Sequence, residues 1–223
     1  MNVKHFRWLF IAVIVALLFP TNNMDKTIGM SENCINGDCH VAGGTEPHAI
    51  FYAVGIIILY AIFLRASLVN IGTPMTGIFR RFLAFWIDLF LFMMATAPII
   101  GIVPCLMEWR RTGIFEWNFA RDFSFPSDGW LSFILVLLTF VCMAFYFAIP
   151  LILRRPTPGA CIMGYQIVTD DSVGLPLKKA LQRSYYGFIA VCTPFRVLFK
   201  PQDKEHGKFW LDEKFGTHAI RLK

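Results

Sequence analysis

One acidic residue, Asp88, lies inside a stretch that is otherwise uncharged, from Phe82 to Leu106. Two arginines, Arg80 and Arg81, stand directly before that stretch. An ionised carboxylate at the centre of a bilayer costs about 2.5 kcal/mol or more on insertion scales, so intramembrane acids usually serve a proton relay, an ion site or a hydrogen bond between helices. The sequence therefore predicts a membrane protein with a buried polar site.

The spacing around this acid is helical. Arg81, Ala84 and Asp88 stand at i, i+3 and i+7, which places them on one face of a helix, and the small Ala84 would let another backbone approach closely. Because helical side chains lean toward the N-terminus, Arg81 would lean away from Asp88. We therefore expect Asp88 to meet a donor from another segment. The candidates by position are Arg183, Arg196 and the backbone of 185–199. The alternative is that Asp88 is a hydrogen-bonded acid that only fixes helix packing.

Composition supports a bilayer protein. Hydrophobic residues make up 56% of the 223 residues and charged residues 16%, a balance that is unusual for a soluble domain of this size. The basic residues are not interleaved with aromatics as in a nucleic-acid module, so we expect no nucleic-acid partner. There is no nucleophile elbow, phosphate-binding loop or HExxH motif, so we expect neither an enzyme nor a cofactor or metal site.

Four apolar segments predict an all-α fold, a bundle of three to four transmembrane helices with an inner-face amphipathic or re-entrant helix and a short β-like turn. The first segment, 8–19, follows a basic N-terminus and indicates an uncleaved signal anchor over 1–20, with a cleaved signal peptide as the alternative. The second, 49–64, is short against the roughly 20 residues that span a bilayer. The segments 82–106 and 129–153 are long enough to span, and Pro98 and Pro104 predict a kink or an irregular end in the former.

The placement of lysine and arginine predicts the orientation. If the N-terminus is cytoplasmic, the exported segments 21–48 and 108–128 hold few basic residues, and the cytoplasmic side holds the rest. The exported ones are Lys26, Arg110, Arg111 and Arg121. We therefore expect a multi-pass membrane protein with both termini in the cytoplasm.

The exported loop 21–48 contains Cys34 and Cys39 on either side of an Asn-Gly pair, which is a strong turn signal. Because that compartment is oxidising, we expect a local disulfide between the two cysteines. A metal site that adds His40 and His48 is the alternative, but its spacing fits no standard zinc module.

The cytoplasmic part begins after Arg155. The run 166–169 is β-like and is followed by a turn that reaches Gly174, and 177–183 has a composition that starts a helix. The apolar segment 185–199 is short, contains Pro194 and Arg196, and predicts an interfacial or re-entrant helix and not a full span.

At this point the chain resembles the RDD family of bacterial membrane proteins. Arg81 followed seven residues later by Asp88 is similar to the opening of that family. The residues 157–168 are similar to its TPGK-x-x-x-G-x-x-V-V segment, Arg183 follows at a suitable distance, and 211–217 are similar to its closing LxDxxxGT. The resemblance covers about 76–220.

The resemblance implies a site and a boundary. Arg81, Asp88 and Asp212 would be the three residues that give the family its name, with Arg183 beside them. The residues of its structural motif would be Pro158, Gly159, Gly164, Gly216 and Thr217. Two departures are visible: Ala160 stands where the family usually has lysine, and Pro194 interrupts the last apolar segment. The predicted regions are an anchor at 1–20, an exported loop at 21–48, a helix and linker at 49–75 and an RDD-like domain at 76–223.

Two functions remain open. The family resemblance implies transport, so the chain would exchange a monovalent cation for protons at Asp88, with Arg81 and Arg183 tuning the site. The alternative is a non-catalytic accessory or assembly subunit of a larger membrane complex. So few spans can hardly enclose a hydrated path, so the expected partners besides lipid are further copies of the chain or other membrane subunits.

Overall fold

The computed structural model describes residues 29–35, 38–65, 77–122, 127–170, 174–192 and 210–221, and these are mostly helical. The predicted first segment, 8–19, Arg196 and the end of the segment 185–199 lie outside the described residues. The elements in chain order are β1 Gly29–Ile35, β2 Asp38–Gly44, α1 Pro47–Arg65, α2 Ile78–Ile100, α3 Ile102–Thr112, β3 Asn118–Asp122, α4 Ser127–Ile152, α5 Pro158–Met163, β4 Tyr165–Thr169, α6 Leu177–Cys192, α7 Trp210–Phe215 and β5 Thr217–Arg221.

Two helical stretches are long and apolar enough to cross a bilayer, Phe79–Thr112 and Asp128–Ile152. A third apolar stretch, Pro47–Ile62, is shorter, as predicted for the second segment. The described residues therefore support two of the three to four predicted crossing helices, and each of these two carries many exposed apolar side chains along its length.

The irregularity predicted from the two prolines lies at Gly101, between α2 and α3. Pro98 is inside α2, and Pro104 has no N–H with which to reach the carbonyl of Ile100, four residues earlier. The Gly101 N–H still donates to the Ala97 carbonyl at 2.9 Å, so the two helices follow each other with one interrupted turn.

One compact unit comprises the described residues within 29–59 and 91–141. It contains an antiparallel sheet with the strand order β1-β2-β3, in which Cys34 lies opposite Cys39 in the β1–β2 hairpin. This sheet corrects the all-α prediction. Its strands are rich in glycine and polar residues and lack the apolar alternation that marks a strand in sequence, so backbone pairing defines them.

Ion pairs of one arginine hold the edge strand β3 of this unit in place. Arg121 of β3 donates to both carboxylate oxygens of Asp128 at 2.7 Å and to Glu108 at 2.8 Å. These bonds, the one to Asp128 above all, raise the pKa of the Arg121 guanidinium. A bidentate pair of this kind is geometrically specific, so it ties β3 to the first turn of α4.

The other compact unit comprises the described residues within 60–90 and 142–221. The predicted β-like run is confirmed as β4, which pairs with the distant strand β5 in a two-stranded antiparallel sheet that the sequence did not predict. The predicted helix start at 177–183 is confirmed, and it continues into the segment 185–199, because α6 is one helix from Leu177 to Cys192. No proline occurs before Pro194 to end it.

A substitution of Gly44, the last residue of β2, tests the close packing of the sheet. A Cβ at Gly44 would lie 2.5 Å from the Trp117 carbonyl oxygen and 2.8 Å from the Asn118 Cα. We expect Gly44→Ala to destabilise the purified protein by about 1–3 kcal/mol because backbone must move to admit it. Thermal unfolding in detergent measures this. Gly55→Ala is the control: nothing lies within 4 Å of that position in α1, so an equal loss there would contradict the close packing at Gly44.

Candidate functional site

Asp88 is buried in the second unit, with 2% of its surface exposed. Its carboxylate accepts three hydrogen bonds. The Tyr146 hydroxyl and the Gly159 N–H donate to Oδ1 at 3.1 and 2.7 Å, and the Thr157 hydroxyl donates to Oδ2 at 2.5 Å. All three donors are neutral groups, and two of them come from one short turn of chain.

That turn is the start of α5, and its sequence explains why it meets the acid. Thr157 is the N-cap residue and its hydroxyl accepts from the Ala160 N–H at 3.2 Å, while Pro158 occupies the first helical turn. The first N–H groups of a helix have no partner within the helix, and Asp88 accepts from that of Gly159. The carboxylate of α2 therefore caps α5 from outside, together with the N-cap threonine.

The backbones of these two helices approach each other closely. A Cβ at Gly159 would overlap the Ala84 carbonyl and would lie 2.8 Å from the carboxyl carbon of Asp88. Ala84 itself is fully buried, which confirms the prediction that its small side chain admits another backbone. At the other end of α5, Gly164 has a φ of 74°, a left-handed conformation that glycine adopts without strain.

A second buried acid, Asp212, lies at the start of α7 and has no exposed surface. Its Oδ2 pairs with Arg81, and its Oδ1 accepts from Arg183 at 2.7 Å and from the Thr217 hydroxyl at 3.2 Å. The Arg183 Nε in turn donates to the Thr217 oxygen at 3.1 Å. One carboxylate thus holds two arginines from two different helices.

The structure divides the predicted site into two centres. Arg81 does not bond Asp88, as expected, and the donors to Asp88 come from other segments, as expected. Arg183, one of the candidate donors, bonds Asp212 instead. Spacing along one helix does not reveal which carboxylate on another element lies within reach of a long guanidinium side chain. Sequence reasoning also missed Tyr146 and the Thr157 hydroxyl as partners of Asp88. The N-cap pattern Thr-Pro-Gly was the signal that a helix start, with free N–H groups, begins there.

The remaining motif glycine lies between α7 and β5, and the motif threonine is the first residue of β5. Gly216 has a φ of 59° and forms the turn between the two elements. Nothing lies within 4 Å of the position that a Cβ would take there, so no other backbone presses on it. Thr217 is fully buried because its hydroxyl completes the cluster at Asp212.

Aromatic hydroxyls extend the surroundings of Asp88. Tyr60 donates to the Tyr146 carbonyl at 2.7 Å, and the two rings stack with centroids 4.7 Å apart. Tyr165 of β4 is also buried. Burial, with a smaller contribution from the charge of Asp88, raises the pKa of the Tyr165 phenol, so this side chain stays neutral at physiological pH.

A cavity of about 350 Å³ lies in this unit and reaches both centres. Asp88, Arg81 and Arg183 line it, together with Phe85 and Phe147. These two rings stack with centroids 5.2 Å apart. A mainly apolar cavity with a few convergent polar groups is the usual form of a ligand site.

Apolar helices of spanning length and a buried polar cluster define a membrane protein with an internal charged site. The chain belongs to the RDD family, whose model matches residues 75–211, more than half of the 223 residues. No curated protein and no solved structure matches the chain significantly. The family match includes Arg81, Asp88 and Arg183 and ends one residue before Asp212. The hairpin β1–β2 lies before its first residue.

The contact between α2 and α5 gives a direct prediction. We expect Gly159→Ala to destabilise the protein by about 2 kcal/mol or more, because the new methyl group must displace the Asp88 carboxylate or the backbone of Ala84. Thermal unfolding of the purified protein measures the loss. Gly187→Ala is the matched control, since its Cβ would meet only a Leu211 methyl group at 3.8 Å. Equal stability of the two variants would contradict the close contact.

The cluster of Arg81, Arg183 and Asp212 gives a second prediction. Asp212→Ala leaves Arg81 and Arg183 facing each other without this counter-charge, which costs about 3–5 kcal/mol for a buried pair. We expect the variant to express poorly or to unfold well below the wild-type temperature. Glu213→Ala, the exposed acid next to it, is the control and should leave stability within about 0.5 kcal/mol. A stable Asp212→Ala protein would show that the cluster does not hold the fold.

Proposed function

We propose that this chain is a membrane transporter that exchanges a monovalent cation for a proton, with the Asp88 carboxylate as the exchanging group. The observation that carries the proposal is the division of charge in the buried site. Asp212 holds both arginines, so among the residues that the structure describes no basic side chain pairs with Asp88.

A buried carboxylate without an ionic partner is costly in its charged form. A proton or a small cation can each neutralise it, and the exchange of one for the other is the elementary step of coupled transport. Oxygen atoms are the ligands that hard cations prefer, and the hydroxyls of Thr157 and Tyr146 adjoin the carboxylate. Both hydroxyls can rotate from donating to Asp88 to offering a lone pair to a cation.

The cavity supports access to this group, because Asp88 is among its lining residues. Arg81 and Arg183 act indirectly in this proposal. They are positioning residues that Asp212 holds in place, and their charge limits how strongly a cation is retained. Weak retention favours turnover, since a transported ion must also leave.

The membrane setting of the proposal follows from the sequence. The bias of lysine and arginine supports a multi-pass protein of the bacterial inner membrane with cytoplasmic termini and with 21–48 and 108–128 exported. So few helices favour a homo-oligomer, in which neighbouring copies would complete a hydrated path.

The second candidate is an accessory or assembly subunit of a larger membrane complex. The observation that favours it is the β1–β2–β3 sheet, whose first two strands lie outside the family match. Cys34 and Cys39 are register partners in it, and a disulfide between them would stiffen the hairpin as a docking element. In a subunit of this kind the two buried acids would only hold the fold.

Everted membrane vesicles that contain this protein alone, with a pH-sensitive dye, test the exchange. We expect sodium, lithium or potassium to release accumulated protons, and we expect Asp88→Asn to abolish the response because an amide binds neither a proton nor a cation in exchange. Glu213→Gln, which removes an exposed acid, should behave like the wild type.

Two outcomes would contradict the exchange. One is a wild-type response equal to that of empty vesicles, with the protein present and folded. The other is a response that Asp88→Asn retains in full. Either result, combined with co-purification of a second membrane protein in constant ratio, would favour the accessory subunit.

A further inference from the structure

The cavity holds more space than a bound cation requires. At about 350 Å³ it has room for roughly ten water molecules at their liquid volume of about 30 Å³ each. Its lining is mainly apolar, with the rings of Phe82, Phe85 and Phe147 among its members. Water gains little from such walls, so an apolar group is the better occupant.

Basic residues outnumber acidic ones around the cavity, among the residues that the structure describes. Three arginines line it, whereas the acids beside them are two, Asp88 in the lining and Asp212 behind Arg81 and Arg183. The third lining arginine is Arg155. The occupant that complements this set of groups carries negative charge at one end.

Arg183 is placed to receive that charge. It is more than nine-tenths buried, its Nε donates to Thr217, and its Nη2 donates to Asp212. Within the part of the chain that the structure describes, its remaining nitrogen, Nη1, has no hydrogen-bond partner. A guanidinium group with a free N–H edge binds phosphate oxygens with good geometry.

We propose that this cavity binds an anionic phospholipid, with an acyl chain against the stacked rings of Phe85 and Phe147 and the phosphate against the guanidinium group of Arg183. The bilayer supplies the ligand, since the helices that form the cavity include the two of spanning length. The proposal goes beyond cation exchange, and its readout is lipid retention, so it stands or falls independently of transport by Asp88.

Native mass spectrometry of the purified full-length protein tests the proposal. The protein is incubated with phosphatidylglycerol, phosphatidylcholine of the same acyl chains, or oleate. We expect phosphatidylglycerol to be retained at least 10-fold better than phosphatidylcholine, and better than oleate. Equal retention of the two phospholipids would overturn the proposal, and stronger retention of oleate would overturn the phosphate head.

Two variants locate the site. Gly187 lines the cavity on α6, and its Cβ position meets only a Leu211 methyl group at 3.8 Å. Gly187→Leu should therefore fold, fill part of the space and reduce phosphatidylglycerol retention about 10-fold, whereas Gly187→Ala should retain it. Retention unchanged in Gly187→Leu would place the lipid elsewhere and overturn the proposal.

The Arg183→Lys variant tests recognition of the lipid headgroup separately from binding of the acyl chain. Lysine keeps a positive charge toward Asp212 but has a single nitrogen, so it cannot hold Asp212 and a phosphate with separate nitrogens as arginine does. We expect its preference for phosphatidylglycerol over phosphatidylcholine to fall about 10-fold. A folded Arg183→Lys protein with the wild-type preference would contradict the role of the guanidinium group.

Discussion

The carboxylate of Asp88 on α2 accepts a hydrogen bond from Gly159 of α5, 71 positions later in the chain. Much of the packing in this compact unit depends on that contact. The carboxylate accepts from Gly159 and Thr157 at the start of α5 and from Tyr146 on α4. Because a buried carboxylate must have its lone pairs satisfied, these elements can pack only in an arrangement that brings all three donors to one point. Gly159 is required there, since a Cβ would occupy the position of the acid.

Asp212 has a different structural role from that of Asp88. It neutralises one of two arginine charges and links α2, α6 and the start of α7 through Arg81 and Arg183. Burial lowers the pKa of the Arg183 guanidinium, and the charge of Asp212 opposes that change. An arginine guanidinium remains protonated in proteins. The two buried acids of this site therefore differ: Asp212 is bound to arginines, and Asp88 to neutral groups. Of these two acids, Asp88 is the one with no basic partner among the described residues, and the proposed exchange rests on that difference.

The sequence predicted which residues form the site better than it predicted which of them bond one another. Asp88 could be identified because a charged residue within an apolar stretch is energetically costly and usually has a role. Ala84 could be identified because helical spacing places it on the same face of α2 as Asp88. The partners of Asp88 could not be found, because they come from α4 and α5, and the packing of distant segments does not follow from periodicity. The sheet β1–β2–β3 was missed for a related reason, since polar strands held by backbone pairing leave only the Asn-Gly turn as a local signal.

Exchange of a proton for a cation at Asp88 can be measured directly as proton release from the purified protein. Sodium, lithium or potassium chloride is added in weakly buffered detergent solution, with choline chloride as the ionic-strength control. We expect release of up to one proton per chain with at least one of the three cations, and its loss in a folded Asp88→Asn variant. No release with any of them, or equal release from the variant, would contradict exchange at this carboxylate.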